Sequence, residues 1–269
     1  MLYCKQCGTK LPDDARFCSA CGTALVLEAK PFETHRVLKV SGKPKVTVTN
    51  IAPGAVEVKR GSKGEVTIDV DLRVPEDLDW SVSQDGDTIT VACHVRTGHW
   101  GWPPYMFGIG PRADFSILVP EEADLSIESR AGRIAIGGVN GVISAESAAG
   151  TINMQDCEGT IRARTKAGSV TMENVKGTIT ARSSAGSIRF NGALSKSESW
   201  FRTSLGSIEI ALKGEQDVMV EASTNLGSIK CIPELADARY ERNRYSGRIG
   251  AGAGRLIVET NAGSIAIRQ

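Results

Sequence analysis

The sequence predicts an all-β protein whose larger part is a parallel β-solenoid, with rungs of about 18 residues and two short strands per rung. A glycine series supports this prediction, because Gly132, Gly150, Gly168 and Gly186 follow one another at a constant interval. Apolar residues alternate with polar ones on both sides of each glycine, as they do in strands that bury one face. Glycine is also abundant, with 29 in 269 residues, which suits a chain that needs a tight corner in every rung.

Composition and charge narrow the class of protein. The chain is 41% hydrophobic and 23% charged, as globular proteins are, and its formal net charge is +1. So small a net charge gives no overall field that would draw the protein to nucleic acid or to an anionic membrane. No leader pattern precedes Cys4, and no apolar run approaches the roughly 20 residues of a membrane helix. We therefore expect a cytoplasmic protein without a membrane span, and association with the cell envelope through a partner is the alternative.

Residues 1–23 contain the strongest chemical motif of the chain, two CxxCG knuckles. Two residues between paired cysteines let both thiolates point at one ion, and the glycine that follows lets the backbone turn. Four thiolates fill a tetrahedral zinc shell, so we expect one structural Zn²⁺ that drives the folding of this small segment. Disulfides and a redox CxxC are the alternatives. The first would need an oxidising compartment, for which the sequence shows no leader pattern, and the second a βαβ pattern, which the sequence does not show. The predicted ligands are Cys4, Cys7, Cys18 and Cys21.

The pattern CxxCGxxLPxxAxFCxxCG, from Cys4 to Gly22, resembles the short zinc ribbons that open many bacterial proteins. The resemblance does not decide between a ribbon that binds nucleic acid and one that binds protein. Lys5, Lys10 and Arg16 are the candidate phosphate contacts, but two neighbouring aspartates offset their charge. We expect a protein partner rather than nucleic acid.

Residues 24–36 are expected to form a linker with Pro31 in its middle, and residues 37–120 a β-rich region that caps the front of the solenoid. Apolar and polar residues alternate over residues 66–74 and 89–95, which indicates strands with one buried face. Cys93 lies on an apolar face, so we expect a buried thiol of low reactivity.

An irregular stretch, residues 98–108, interrupts these strands. It holds four of the chain's 14 aromatic residues, among glycines and prolines that prevent regular structure. One interpretation is a loop that offers these rings to a ligand or partner, and the other is a loop folded back over the open end of the β-body. The four rings belong to Trp100, Trp102, Tyr105 and Phe107.

Residues 121–269 are expected to form the solenoid itself. Within one rung, Ile143, Ala145 and Ser147 lead to the corner glycine, and Ile152 and Met154 follow it. Small residues therefore face large ones across a narrow core, and equivalent strands stack about 4.8 Å apart. The alternative is a tandem antiparallel sandwich, but hairpins impose no fixed period on the sequence. Later members of the series are Gly206, Gly227 and Gly263, and Cys157 and Cys231 fall on inward positions.

Outward positions of the repeat also stack, and one row becomes basic. Arg164, Arg182 and Arg202 are equivalent residues of successive rungs, preceded in the same row by Glu128 and Glu146. Three arginines at this spacing could grip an anionic polymer. The other interpretation is a solvated face with glutamates at one end.

The body from residue 37 to residue 269 resembles the bacterial "putative adhesin", or β-strand-repeat, family of unknown function. The matching motifs are GTIxAR at 159–164 and 177–182, AGSI at 185–188 and 262–265, and SGRIGAGAGRL at 246–256. The resemblance implies a β-solenoid-like fold without assigned catalysis, and some relatives are associated with the cell envelope and its stress responses.

Three functions remain open at this point. The first is a non-enzymatic binding or scaffold protein, because the metal site is closed and no HExxH, Walker or G-x-S-x-G motif in a suitable context occurs. The second is nucleic-acid binding through the ribbon. The third is a polysaccharide-active β-helix enzyme, which would need converging carboxylates on one outward face.

Overall fold

The computed structural model describes residues 2–4, 6–11, 18–22, 34–73, 77–96, 111–232 and 235–269. The chain divides into two compact units, Met1–Thr34 and His35–Gln269. Every regular element within the described ranges is a strand, which confirms the all-β prediction. The predicted linker lies mostly outside the described residues, and the second unit begins at His35.

The first unit has one small antiparallel pair in its described part. Strand β1 (Leu2–Tyr3) pairs with β2 (Lys10–Leu11). The first knuckle lies between these two strands, so the hairpin fixes the position of its cysteines.

The second unit contains strands β3 to β24 in its described part, and most of them are short. In chain order they are β3 (His35–Lys39), β4 (Lys45–Pro53), β5 (Val56–Arg60), β6 (Glu65–Arg73), β7 (Leu78–Asp85), β8 (Thr88–Val95), β9 (Arg112–Val119), β10 (Asp124–Ala131), β11 (Ile134–Gly137), β12 (Asn140–Ala149), β13 (Ile152–Gln155), β14 (Glu158–Ala167), β15 (Val170–Ala185), β16 (Ile188–Leu194), β17 (Glu198–Leu205), β18 (Ile208–Leu212), β19 (Val218–Leu226), β20 (Ile229–Ile232), β21 (Ala236–Glu241), β22 (Arg244–Ile249), β23 (Gly254–Ala262) and β24 (Ile265–Arg268).

Parallel pairing builds two faces from these strands. The first face has the order β8-β4-β10-β12-β14-β15-β17-β23-β19. The second face has the order β9-β5-β11-β13-β15-β16-β18-β24-β20, and the long strand β15 contributes to both. Ile143 pairs with Ile161, and Ile161 with Ile179, so neighbouring rungs are separated by the interval that the glycine series predicts. The stack of rungs is thus β-solenoid-like in its central part.

The order of the strands in the stack differs from their order in the chain at both ends of the body. β4 and β5 lie between β8–β9 and β10–β11, although they precede all of these in the chain. Likewise β23 and β24 are inserted between β17–β18 and β19–β20. Antiparallel strands complete the ends, with β3, β6 and β7 at the front and β21 and β22 at the back. The region 37–120 therefore supplies parallel rungs in addition to the predicted cap.

Glycine is required at the corners because each corner stacks directly on the next. Gly168 has φ of +145°, and a Cβ on it would overlap the carbonyl oxygen of Gly150. The contacts give the spatial order of the series as Gly54, Gly132, Gly150, Gly168, Gly186, Gly206, Gly263 and Gly227. A second series, half a rung away, contains Gly141, Gly159 and Gly177, and a side chain there would meet the backbone in the same way.

The core is the narrow space between the two faces. Ala145, Ala163 and Ala181 are fully buried on the first face, and larger residues such as Met154 and Phe190 are buried on the second. Phe201 occupies the alanine position of its rung, and its ring centroid lies 5.1 Å from that of Phe190. Of the thiols predicted to be buried, Cys93 and Cys157 are, whereas Cys231 is half-buried near the back end.

Candidate metal centre and charged row

The four predicted zinc ligands lie together in the first unit. Their sulfur atoms are all within 4.8 Å of one another. Sγ of Cys4 is 3.7 Å from Sγ of Cys21, and Sγ of Cys7 is 3.5 Å from Sγ of Cys18. Four sulfurs at about 2.3 Å from a tetrahedral zinc are about 3.8 Å apart, so this arrangement fits the ion. It does not fit disulfides, whose sulfurs are about 2.05 Å apart.

The two knuckles hold their cysteines in the same way. The amide of Gly8 donates to the carbonyl oxygen of Cys4 over 2.8 Å, and the amide of Gly22 to that of Cys18 over 2.9 Å. Both glycines have positive φ, +73° and +69°, which side-chain-bearing residues rarely adopt. The glycine after each cysteine pair therefore closes the turn, as the sequence predicts.

The surroundings of Cys7 favour its thiolate form. Its sulfur lies 3.2 Å from the hydroxyl oxygen of Thr9. Hydrogen bonds from the hydroxyl and then the backbone amide of Thr9 lower the pKa of Cys7 to about 6. A thiolate is the form that binds metal, so the donors around Cys7 suit a ligand. The pKa of its neighbour Cys18 moves in the opposite direction, to about 11, because burial and the sulfurs of Cys7 and Cys21 disfavour a second thiolate. Cys4 and Cys18 are buried, and Cys7 and Cys21 are exposed.

Two groups of predicted residues fall outside the described part of the chain. Lys5 and Arg16, proposed as phosphate contacts of the ribbon, belong to these, and only Lys10 of that set is described, as an exposed residue. The aromatic segment is also outside, so both interpretations of it stay predictions. Its residues are Trp100, Trp102, Tyr105 and Phe107.

The predicted arginine row exists on the first face. Arg164 pairs in register with Arg182, and Arg182 with Arg202, so the three side chains stand on adjacent strands. Arg202 forms an ion pair of 2.6 Å with Glu259, which follows it in the row because β23 is inserted beside β17. Sequence order alone did not indicate Glu259 as a neighbour, since the two residues lie far apart in the chain.

The remaining members of the row have no such partner. Glu128 and Glu146 are register neighbours on β10 and β12, and Glu146 stands beside Arg164. All four side chains, including that of Arg182, are exposed. None of them makes an ion pair or hydrogen bond with another described residue. Among the described residues, the row therefore contains two free acids followed by two free bases.

Some charges elsewhere on the body are paired. Glu221 of β19 accepts hydrogen bonds from Arg255 and Arg244, each at 2.7 Å. Arg189 contacts Glu209 on the second face at 3.1 Å.

Among the described residues the four cysteines are the only group of three or more possible metal ligands close enough to share an ion. Within the same residues, no helix is long and apolar enough to span a membrane.

Two family models match the chain. Residues 3–25 match the zinc-ribbon domain, and residues 143–268 match the family described as Toastrack DUF4097. These matches confirm both resemblances drawn from the sequence. No curated protein matches the chain.

Matches to solved structures were also found. One is a "putative cell adhesion protein" from Clostridium sporogenes, 10% identical, with a TM-score of 0.37, covering 87% of this chain and 98% of its own. Another is a "putative adhesin" from Bacteroides fragilis, 12% identical, with a TM-score of 0.37, covering 86% of this chain and 95% of its own. Residues 3–25 are thus similar to the zinc-ribbon domain, and residues 143–268 are similar to the Toastrack DUF4097 family.

Proposed function

We propose that the protein is a non-enzymatic binding or scaffold protein, in which a zinc-stabilised ribbon acts as the binding module of a rigid toastrack body. The observation that carries this proposal is the closed shell of four cysteines. Cys4, Cys7, Cys18 and Cys21 would hold one Zn²⁺ and fill its coordination sphere. The ion would supply folding free energy to a unit that is too small for a core of its own, and no position would remain for a substrate.

The body supports the same proposal in another way. Its corners are fixed by stacked glycines and its core side chains are fully buried, so its surface is a stiff frame of repeated strands. Stiff repeat bodies present extended surfaces to partners at little cost in ordering entropy. The part that the structure describes brings Glu128 and Glu146 side by side, but arginines follow them in the row. In this row the polysaccharide-hydrolase alternative therefore has one acidic pair in its favour.

We propose that the protein is cytoplasmic, and association with the cell envelope or its stress response through a protein partner is the alternative. The alternative rests on the resemblance of the repeats to a family with envelope-associated members.

The experiment is crosslinking in native cells with the wild-type chain and with a Cys4→Ser/Cys7→Ser variant. We expect a partner that crosslinks to the wild type and is lost from the variant, because the ribbon cannot fold without its ion. A Glu57→Gln variant, altered on the second face, is the control and should keep the partner. Failure of the wild type to capture any partner, or turnover of a glycan by the purified protein, would contradict the proposal.

A further inference from the structure

We propose that the first face of the toastrack body is a self-association surface, on which two copies of the chain pack face to face as a twofold dimer. The observation behind this is the order of charges in one row, from Glu128 and Glu146 to Arg164 and Arg182. All four side chains are exposed and none has a partner in its own subunit among the described residues.

The order of the row is self-complementary. A twofold axis that runs along the strands, between β12 and β14, reverses the row and turns one face toward the other. Glu146 then meets Arg164 of the partner subunit, and Glu128 meets Arg182 of the partner subunit. Symmetry repeats each contact, so the two unpaired acids and two unpaired bases of each subunit form four ion pairs in all.

The neighbouring rows fit the same axis without opposing like charges. One outward position earlier along the strands, Arg162 comes opposite Ser144 of the partner subunit. In the row on the other side, Lys166 comes opposite Ala148 of the partner subunit. Strands of the two subunits stay nearly parallel, as in the aligned packing of two sheets, whose axes differ by about 30°.

The size of the face is sufficient for a stable interface. Eight strands, from β8 to β23, spaced about 4.8 Å apart, span about 38 Å, and about seven residues of strand at about 3.3 Å span about 23 Å. The face therefore offers on the order of 800 Å² per subunit, which is the usual size of a specific interface.

An anionic polymer fits the row less well. Glu146 stands beside Arg164, and Arg202 is already neutralised by Glu259, so a polyanion along the row would meet acids at both ends of the two free arginines. A second copy uses both halves of the row, whereas a polyanion uses only one.

The test is sedimentation equilibrium of the full-length, zinc-loaded protein and of two charge-reversed variants. One variant carries Glu128→Arg and Glu146→Arg, and the other carries Arg164→Glu and Arg182→Glu. We expect the wild type to dimerise, each variant alone to dimerise at least about tenfold more weakly, and an equimolar mixture of the two to recover wild-type affinity. The recovery also shows that both variants are folded. A Glu209→Arg/Arg189→Glu swap on the second face is the matched control and should behave as the wild type.

Salt supplies a second readout, since raising ionic strength from about 0.05 M to about 0.5 M should weaken the dimer. A wild type that stays monomeric at about 100 μM, or a mixture that does not associate better than its components, would overturn the proposal. Binding of polyphosphate that is lost only in the Arg164→Glu/Arg182→Glu variant, by a monomeric wild type, would assign the row to an anionic polymer instead.

Discussion

The hydroxyl of Thr165 donates a hydrogen bond to the carbonyl oxygen of Gly150, with 3.1 Å between the two oxygens. The contact joins the last inward residue of one rung to the corner of the rung before it. It recurs along the stack, and its other examples are Ser183 to Gly168, Thr203 to Gly186, Thr260 to Gly206 and Thr224 to Gly263. Buried hydroxyls thus satisfy corner carbonyls that the two faces leave without a ladder partner.

This relationship predicts that serines at equivalent positions contribute unequally to stability. Ser183 donates to Gly168 over 2.9 Å, whereas the buried hydroxyl of Ser147 has no hydrogen-bond partner. We expect Ser183→Ala to lower the free energy of unfolding by about 1–2 kcal/mol and Ser147→Ala to leave it unchanged or slightly raised. Urea denaturation of both variants measures the difference. Equal losses of stability at the two serines would contradict this account of the buried hydroxyls.

The corner glycines should not tolerate a methyl group. Gly168→Ala would place a Cβ on the Gly150 carbonyl oxygen at a φ of +145°, so the corner must open against the stacked rungs. We expect a loss of at least about 2 kcal/mol in the free energy of unfolding. Gly214→Ala is the control, because Gly214 has a positive φ of +70° but nothing within 4 Å of an added Cβ. Its cost should be only about 1 kcal/mol, and a cost as large as that at Gly168 would show that backbone conformation alone accounts for both.

The sequence carried the period of the fold but not its order in space. The constant interval from Gly132 to Gly186 is a local property of the chain, and the register of the strands reproduces it. The insertion of Gly263 before Gly227 depends on which of two similar rungs pairs with β17, and their apolar patterns are nearly the same. The second glycine series, Gly141, Gly159 and Gly177, has the same interval and is offset by half of it.

The candidate metal site and the charged row also differ in how far the sequence predicts them. The spacing of the knuckles was sufficient to predict the approach of Cys4, Cys7, Cys18 and Cys21, because a local turn positions each pair. The ion pair of Arg202 with Glu259 was not predictable, since it depends on long-range strand order. Local chemistry was therefore readable from the sequence, and contacts created by chain insertion were not.

Glu221 should make the back of the body sensitive to acid. Hydrogen bonds from Arg255 and then Arg244 hold the pKa of this carboxyl below its usual value, although partial burial acts in the opposite direction. A carboxyl whose pKa is lowered on folding stabilises the protein above its unfolded pKa of about 4.3, and the contribution is lost as pH falls through the folded value. We expect Glu221→Gln to cost about 1 kcal/mol at pH 7 and much less below about pH 4. Unfolding of both proteins across this range checks the difference, and a gap that widens on acidification would contradict the assignment.

Removal of zinc should make the ribbon cysteines reactive toward thiol reagents and leave the buried cysteines of the body unreactive. Sγ atoms of the four ribbon cysteines would be bound to the ion, so a thiol reagent should reach them only after chelation, when the ribbon loses the interaction that folds it. Burial raises the pKa of the Cys93 thiol to about 11, and Cys93 and Cys157 have almost no exposed surface. We expect chelation to expose four fast-reacting thiols while these two stay protected until the body unfolds. Metal analysis gives the zinc bound per chain, and mass-resolved alkylation gives the number of reactive thiols. Cys4→Ser should lose zinc without changing the protection of Cys93, because the body has its own core; unchanged zinc content in that variant, or loss of protection at Cys93 on chelation, would contradict the prediction.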